Sequence, residues 1–218
     1  DRLYFSSGLT FSSNRNKGIK TSNHDPIFGS KQNVFPAITV SKEGFPISSF
    51  WGMVRQDLLT EDGRDQFVDI NNDGQITAED NTIIGSPHPD FIYSLSSHFE
   101  YKNFTIDFIF DGVQGNEIFN YYKRELNDPY SKGGNMTKDV LDRWSPANPD
   151  RTAAYQRMGT STFPTPTAQF VEDGSYLRLR QLTIGYNLNL NKSYIKYARV
   201  YMRAVNLLTI TSYSGYDP

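Results

Sequence analysis

Residues 91–110, FIYSLSSHFEYKNFTIDFIF, decide the fold, because apolar and polar side chains alternate along almost their whole length. From Phe91 to Tyr101 the odd positions are mostly aromatic or apolar, and the even positions are mostly polar. From Phe104 to Phe110 the even positions become the apolar ones. A period of two residues is typical of a β-strand with one apolar and one polar face. Because only the link at 101–103 separates the two runs, the pattern predicts a tight antiparallel hairpin.

Similar strands are predicted on both sides of this hairpin. Alternating segments lie at 3–11 and 45–54 before it, and at 175–188 and 197–207 after it. The apolar phase of the 175–188 segment switches near Gln181, which predicts a β-bulge. About six strands result. Several have ten or more residues, whereas strands of ordinary sheets have about five or six and strands that cross a membrane have roughly 9–11.

The connections between these strands are unequal in length. Two are short, at 101–103 and 189–196, and two are long, at 55–90 and 112–174. Compact soluble domains rarely contain structureless connections of the longer kind, whereas outer-membrane barrels combine short periplasmic turns with long external loops. The sequence therefore predicts an all-β fold: a section of an antiparallel transmembrane β-barrel whose two long connections are extracellular loops.

Composition excludes several classes of function. The 218 residues contain no cysteine, which excludes disulfides, thiolate metal sites and a cysteine nucleophile. The formal net charge of -2 provides no basic field that would attract nucleic acid. No apolar run approaches the ~18 residues of a membrane-spanning helix. Carboxylates are plentiful and the three histidines are scattered, but no spacing selects a catalytic pair. No catalytic residue and no enzymatic activity are therefore predicted.

The twelve residues DINNDGQITAED, at 69–80, match the pattern of a calcium-binding loop. Five residues are expected to supply oxygen ligands: Asp69, Asn71, Asp73, Gln75 through its carbonyl, and Asp80. Gly74 permits the sharp turn between them. The last ligand is Asp rather than the usual Glu, so its shorter side chain is expected to weaken the site or to favour a smaller ion such as Mg²⁺. The predicted role is structural, and the alternative is an Asx-rich turn that binds no metal.

Four arginines fall on the last two predicted strands: Arg178, Arg180, Arg199 and Arg203. On the face opposite the last two of them, Ala198, Val200 and Met202 form an unbroken apolar row on the final strand. In a barrel the arginines would line the lumen, where charge is tolerated, and the apolar face would meet lipid. In a soluble fold the same arginines would form a solvated sheet face.

The long loops contain many aromatic residues, which are expected to contact a ligand or a partner, or to pack against one another inside the loops. They are Phe119, Tyr121, Tyr122, Tyr130, Trp144, Tyr155 and Phe163. In the second loop a short helix is predicted at 138–144, with Thr137 as its cap and Pro146 after its end.

Motifs along nearly the whole chain resemble those of the SusC/RagA-type TonB-dependent transporters, in the family's order. The most specific is FVEDGSYLRLR at 170–180, and the similarity continues through 182–186 and 205–209 to 213–218. The other matching segments are 44–52 (GFPISSFWG), 67–80 (FVDINNDGQITAED), 84–91 (IGSPHPDF), 114–120 (QGNEIFN) and 142–149 (DRWSPANP).

The resemblance implies a function. Transporters of this type are bacterial outer-membrane barrels, surrounded by lipid, that pair with a SusD-like surface lipoprotein acting as a lid. They import oligosaccharides or peptides with energy delivered by the TonB complex, and no covalent step occurs in them. The long loops would then meet the lid or the ligand. Because barrels of this class have about 22 strands around a plugged lumen, the resemblance also implies that the plug, the N-terminal strands and the closing strand lie outside this sequence.

A second interpretation stays open at this point. A soluble β-sandwich, held together by calcium and binding carbohydrate through exposed aromatics, would also explain the alternation and the acidic loop. It explains the long strands and the unequal connections less well. Solubility without detergent would separate the two interpretations, because open edges and apolar faces make an isolated barrel section aggregate.

Overall fold

The computed structural model describes residues 2–30, 37–127, 135–159, 166–190 and 194–218. Antiparallel strands dominate these residues. In chain order they are β1 (Leu3–Ser12), β2 (Ile27–Phe28), β3 (Thr39–Ser41), β4 (Ser49–Gly52), β5 (Thr82–Gly85), β6 (Phe91–Tyr101), β7 (Phe104–Gln114), β8 (Glu117–Phe119), β9 (Val171–Asp173), β10 (Tyr176–Asn189) and β11 (Tyr197–Thr211). The helical segments are the α-helix α1 (Tyr121–Asn127) and the 3₁₀ turns Ser22–His24, Ala78–Asp80, Lys138–Asp142 and Ala168–Phe170.

The five long strands form one antiparallel sheet in the order β1–β6–β7–β10–β11. β6 and β7 form the predicted hairpin, in which Tyr101 pairs with Phe104 and Lys102 turns the chain with a φ of +55°. β10 and β11 form the second hairpin, with Asn189 opposite Tyr197. The shortest of the five strands has 10 residues and the longest 15, so all reach the roughly 9–11 residues that cross a bilayer.

A β-bulge lies in β10, at the place where the sequence predicts one. Leu179 pairs with Phe110 of β7 and Gln181 pairs with Ile109, so Arg180 is an extra residue on β10. An extra residue shifts the alternation of side chains by one position. The apolar residues before and after the bulge therefore lie on the same face of the sheet, which explains the switch of phase in the sequence.

The two faces of this sheet have opposite chemistry. One row of register partners across all five strands is apolar: Phe5, Phe99, Ile106, Ile184 and Met202. The adjacent row, one residue along each strand, is polar: Ser6, His98, Asp107, Thr183 and Arg203. Because side chains of adjacent residues point to opposite faces of a strand, the sheet has one apolar face and one polar face.

The apolar face is open to solvent in the described part of the chain. Met202 is 68% exposed, and Phe5 and Phe104 are also exposed. The aromatic rings on this face pack on one another across strands. The ring centroids of Phe104 and Tyr186, for example, are 4.6 Å apart. A sandwich would bury such a face against a second sheet. The structure therefore supports a section of barrel wall and not the soluble sandwich.

The segment 45–54 is not a strand of this wall, which corrects the sequence prediction. It contains the short strand β4, which lies in a separate four-stranded sheet of order β2–β3–β4–β5. Ser49 and Phe50 are both buried, so β4 has no lipid-like face, and four residues are too few to cross a bilayer. The wall has five described strands, and the first excursion from it runs over 13–90 instead of 55–90.

The two long excursions, 13–90 and 115–175, begin and end at the same end of the sheet and fold together; with 212–218 they are called the loop layer below. The amide of Met53 donates to the carbonyl of Pro166, at 2.9 Å, and the amide of Leu59 to that of Arg151, at 2.8 Å. The buried apolar residues of the described chain all lie in this layer: Ala37, Val40, Phe50, Met53, Leu59, Phe67, Val140, Trp144, Ala153 and Phe170. The long loops are therefore a packed unit with a core of their own.

Helix content in the loop layer differs from the prediction. The residues after Thr137 form a 3₁₀ turn, Lys138–Asp142, and the Thr137 hydroxyl donates to the side chain of Asn127 instead of capping that turn. The α-helix α1, which the sequence analysis did not predict, is capped by Asn120, whose side-chain oxygen accepts from the amide of Lys123 at 2.9 Å. No helix within the described ranges is long and apolar enough to cross a membrane.

Candidate functional site

The polar face of the five-stranded sheet is the first candidate site. His98 Nδ1 lies 2.6 Å from Asp107 Oδ1, and Arg199 Nη2 lies 3.9 Å from the other oxygen of the same carboxylate. Arg203 Nε donates to the hydroxyl of Thr183 at 3.3 Å. These residues line a concavity of about 590 Å³ that reaches across all five strands. It offers an aqueous ligand charges of both signs and several hydroxyl groups.

Three of the four predicted lumen arginines lie on this face with their side chains accessible. Arg180, at the bulge, donates to Asp111 Oδ2 at 3.0 Å. Arg199 reaches across Gly185 to donate to the hydroxyl of Thr105, also at 3.0 Å. A Cβ at position 185 would lie 2.9 Å from Arg199 Nε, so the glycine makes room for that reach.

Arg178 has a different task from the other three. Its guanidinium donates to the carboxylate of Asp217 and, at 3.4 Å, to the carbonyl of Pro218. Its Nε donates to the hydroxyl of Thr209, at 3.1 Å, and its cation lies 4.7 Å from the ring of Tyr176. Arg178 therefore ties the segment after β11 to the polar side of the wall, and it is not a free lumen charge.

The predicted metal loop forms a compact turn in the first excursion. Asp69 Oδ2 accepts from the amide of Gly74 at 2.8 Å, Asn71 Oδ1 from the amide of Asp73 at 3.0 Å, and Asp73 Oδ1 from the amide of Gln75 at 2.7 Å. Gly74 has a φ of +81°, as expected for the sharp turn. The first three predicted ligands thus surround one stretch of backbone.

Asp80, the fifth predicted ligand, lies at the base of this turn and is fully buried. Its Oδ1 accepts from the amide of Ile70 and its Oδ2 from the amide of Thr77, both at 2.8 Å. The amide of Thr77 contributes most to a pKa below the ordinary Asp value, and the amide of Ile70 lowers the pKa further. Asp80 therefore closes the loop by itself, as the last residue of a capping box.

The predicted contact aromatics divide into buried and exposed residues. Trp144 is only 7% exposed and packs with Leu59 and Ala153, so it lies in the core of the loop layer, as the packing alternative expects. Phe119 packs between Phe50 and Phe170, at ring distances of 6.3 and 6.4 Å.

The tyrosines around α1 are more accessible. Tyr121 is partly buried, and the Tyr155 hydroxyl accepts from the side chain of Asn127 at 2.8 Å, while burial raises the pKa of Tyr155. Tyr122 is exposed and contacts the ring of Tyr216. Tyr130 and Phe163 lie outside the described residues.

Glu172 joins three parts of the loop layer, and the sequence analysis did not single it out. It accepts from Lys123 Nζ at 2.7 Å, from the Ser214 hydroxyl at 2.8 Å and from the Ser214 amide at 2.9 Å. Burial raises the pKa of Glu172, but the hydrogen bonds from Lys123 and Ser214 outweigh it and hold the pKa below the ordinary value. The sequence feature that could have identified Glu172 is its position in the 170–180 motif, directly before the last hairpin.

No family model matches the chain. The TonB-dependent receptor P3 of Formosa agariphila is 32% identical over 98% of the chain, which spans 23% of that protein. The TonB-dependent receptor SusC of Bacteroides thetaiotaomicron is 29% identical over 83% of the chain, which spans 18% of that protein. The chain thus spans less than a quarter of the length of these relatives.

Solved structures agree with these relatives. The RagAB peptide importer in its open-open state matches 99% of the chain with a TM-score of 0.77 and 25% sequence identity, and the match covers 24% of that solved chain. A second structure of the RagAB peptide transporter matches with a TM-score of 0.80 and 24% identity, a likeness of fold.

Proposed function

Because this chain belongs to the SusC/RagA type of TonB-dependent outer-membrane receptors, we propose that it forms part of the wall and entrance of an active nutrient importer. The substrate would be an oligosaccharide or a peptide, captured together with a SusD-like lipoprotein lid and moved inward by energy from the TonB complex. The contribution of the chain is binding and passage, without a covalent step.

The opposite chemistry of the two sheet faces supports this proposal most directly. The apolar row ending at Met202 is open to solvent, and lipid would cover it in the outer membrane. The polar row ending at Arg203 lines a concavity of about 590 Å³. Charged and hydroxyl-bearing side chains there would meet a hydrated substrate or the lumen-filling part of the receptor. A wall with this division separates lipid from an aqueous path.

The folded loop layer supports the second half of the proposal. Its core residues, Leu59 and Trp144 among them, come from both excursions. Because the loop layer is folded, its loops have fixed positions. They lie at the end of the wall opposite to the two hairpin turns. A lid needs such a fixed surface to close against, because disordered loops would lose conformational entropy on each closure.

We propose further that the 69–80 loop holds a calcium ion in a structural role. No three acidic or histidine side chains of the described chain are arranged to hold a metal, so the donor set would be mixed. It would combine carboxylates with the side-chain oxygen of Asn71 and the carbonyl of Gln75, as a hard cation permits. The turn at Gly74 supports a cation, since Asp69 and Asp73 both accept from backbone amides of this one turn and so lie close together. Asp80 already accepts hydrogen bonds from three amides, so it would bind the ion more weakly than a free carboxylate. Mg²⁺, a smaller ion, is the second candidate.

The importer proposal is tested on the native polypeptide that contains this sequence, recovered from cell envelopes. We expect a species that needs detergent, migrates differently before and after heating, and co-purifies with a surface lipoprotein. Uptake of labelled oligosaccharides or peptides should stop when a protonophore removes the proton-motive force. Entry of a small solute that diffuses through porins is the control and should continue. A water-soluble species, or uptake that is indifferent to the protonophore, would overturn the proposal.

A further inference from the structure

The first excursion is divided into a basic and an acidic half. Residues 13–43, called the basic half below, contain five lysines or arginines and two acidic residues, a formal charge of +3. Residues 44–90, the acidic half, contain two arginines and nine acidic residues, a formal charge of -7. This separation is a property of the sequence and does not depend on which surfaces other parts of the receptor cover. It indicates that the two halves meet different surroundings.

Three cations of the basic half follow β1 within eight positions: Arg15, Lys17 and Lys20. Among the described residues, none of the three has an ion-pair partner. The acidic residues of the basic half are Asp25 and Glu43, and the second of these is already bound. Glu43 accepts from the amide of Thr21 at 2.8 Å and lies 3.1 Å from His24 Nδ1. The three cations are therefore free to bind an anion from outside the chain.

Backbone contacts hold the segment that carries these cations. The amide of Gly18 donates to the carbonyl of Phe45, and the amide of Gly44 donates back to the carbonyl of Gly18, both at 2.9 Å. The side-chain oxygen of Asn16 accepts from the amide of Ile47 at 2.8 Å. The cations thus alternate with residues that are anchored to the loop layer. Such preorganisation lowers the entropy cost of binding a ligand.

The basic half leaves the wall beside a group of aromatic rings on the apolar face. Phe11, near the end of β1, pairs with Tyr93 in the register of the sheet, and its ring stacks on that of Phe91 at 5.3 Å. The hydroxyl of Ser13 donates to the carbonyl of Asp90 at 2.7 Å. Barrels carry girdles of aromatic residues where the wall crosses the surface of the membrane. The basic half therefore begins at the level expected for lipid headgroups.

An apolar side chain lies among the cations. Ile19, between Lys17 and Lys20, is 90% exposed in the described chain. Segments that combine basic residues with apolar side chains bind anionic membrane surfaces, where the cations meet headgroups and the apolar side chains enter the acyl region. A soluble anion would explain the cations but would leave Ile19 in water. The combination therefore fits an anionic lipid.

We propose that the basic half lies on the outer leaflet of the membrane, where Arg15, Lys17 and Lys20 bind the phosphate groups of anionic lipids. Ile19 inserts between the acyl chains of these lipids. The acidic half is repelled by the same surface and stays on the aqueous side of the loop layer. This inference adds a lipid-binding site to the importer. It rests on the proposed wall, whose apolar face meets lipid and whose loop layer lies on the outer side.

The test uses the full-length receptor, purified in detergent micelles. The probe is fluorescent diphosphorylated lipid A in the same micelles, and binding is followed by anisotropy. K17Q/K20Q should weaken binding by roughly tenfold to thirtyfold, since each basic residue at an anionic surface contributes about fivefold. I19S should weaken it by about threefold to tenfold. R64Q/K138Q is the matched control, because it removes two exposed cations elsewhere in the loop layer, and it should bind as the parent does.

Three results would overturn the inference. The parent receptor could bind lipid A without phosphate groups as tightly as the diphosphorylated form. K17Q/K20Q could bind the probe as R64Q/K138Q does. K17Q/K20Q could also lose a co-purifying surface lipoprotein while it keeps lipid binding, which would assign the cations to the lid.

The same preparations separate this inference from the proposed wall. All variants should show the heat-modifiable migration of an assembled barrel, which excludes unfolding as the cause of weaker binding. A parent receptor that needs detergent but does not prefer phosphorylated lipid would refute the lipid site alone. A parent receptor that stays soluble without detergent would refute the wall as well.

Discussion

Gly63 lies flat against the indole of Trp144, so close that a Cβ at position 63 would be 2.1 Å from the ring atom Cδ2. The two residues come from different excursions, 13–90 and 115–175. Their contact joins the excursions at the centre of the loop layer, beside Leu59 and Ala153. The amide of Arg157 donates to the carbonyl of Gly63 at 2.8 Å, which holds the same two excursions together by backbone.

G63A should therefore loosen the loop layer. The φ of +79° at this position costs an alanine roughly 1–2 kcal/mol, and displacing the indole adds about 1–3 kcal/mol. G44A is the matched control, since Gly44 has a φ of +87° and open space around it, so only the first cost applies. Limited proteolysis of the receptor in membranes should cut G63A faster than G44A within the loop layer. Equal cutting rates would show that the Trp144 contact contributes nothing.

M202K should impair assembly more than Y201K. Met202 lies in the apolar row and Tyr201 on the opposite face. A lysine among lipid tails costs about 2–4 kcal/mol near the middle of the bilayer, whereas a lysine on the lumen side is hydrated. The measurement is the fraction of each variant that shows heat-modifiable migration after insertion into outer membranes. Equal fractions would contradict the assignment of the two faces.

Calcium should protect the 69–80 loop from protease, and the double variant D69A/D73A should lose that protection. Both side chains surround the turn at Gly74, where the ion would lie. E79Q removes a carboxylate from the same loop at a position that is no predicted ligand, and it should behave like the parent. Cutting rates in calcium and in chelator are compared for all three proteins. A parent with identical rates in both conditions would refute the calcium proposal.

Protonation of Glu172 at acidic pH should weaken the hydrogen bonds by which this carboxylate joins Ser214 to Lys123 of α1. The pKa of Glu172 is lower in the folded protein than its ordinary value. Its stabilising contribution is therefore complete above the ordinary Glu pKa and is lost as the pH falls through the lower, folded-state pKa. Hydrogen exchange at the Ser214 amide, corrected for the intrinsic rate, should show protection that disappears in that acidic range. E172Q should show weaker protection without this pH dependence, and a parent-like profile in E172Q would assign the titration to another group.

The strands of the wall were predictable because their signal is local. Alternation in 91–110 predicts the β6–β7 hairpin, and the switch of phase near Gln181 predicts the bulge. The prediction for segment 45–54 was wrong because its aromatic residues, Phe50 and Trp51, are of the kind that is common in the wall strands. β4 is not a wall strand because its side chains are buried on both faces. That burial depends on β3 and β5, which pair with β4, and on the second excursion.

The sites show the same division. The acidic loop was recognisable, since its ligands are spaced within twelve residues and local turns bring them together. The sequence left contact and packing open as roles of the loop aromatics, because a sequence does not show which rings are buried. Trp144 is buried by Leu59 from another excursion, while Tyr122 stays exposed and meets Tyr216, which is 94 positions away.

The sequence by itself determined that this chain forms a wall with one apolar and one polar face, because the period of two residues assigns each side chain to a face without reference to distant residues. The tertiary structure alone decided that the long loops form a packed layer with its own core. It also decided that Arg178 holds the segment after β11 and that Glu172 joins this segment to α1. Those contacts link residues far apart in the chain, and their energies depend on burial and on partners that no local pattern contains.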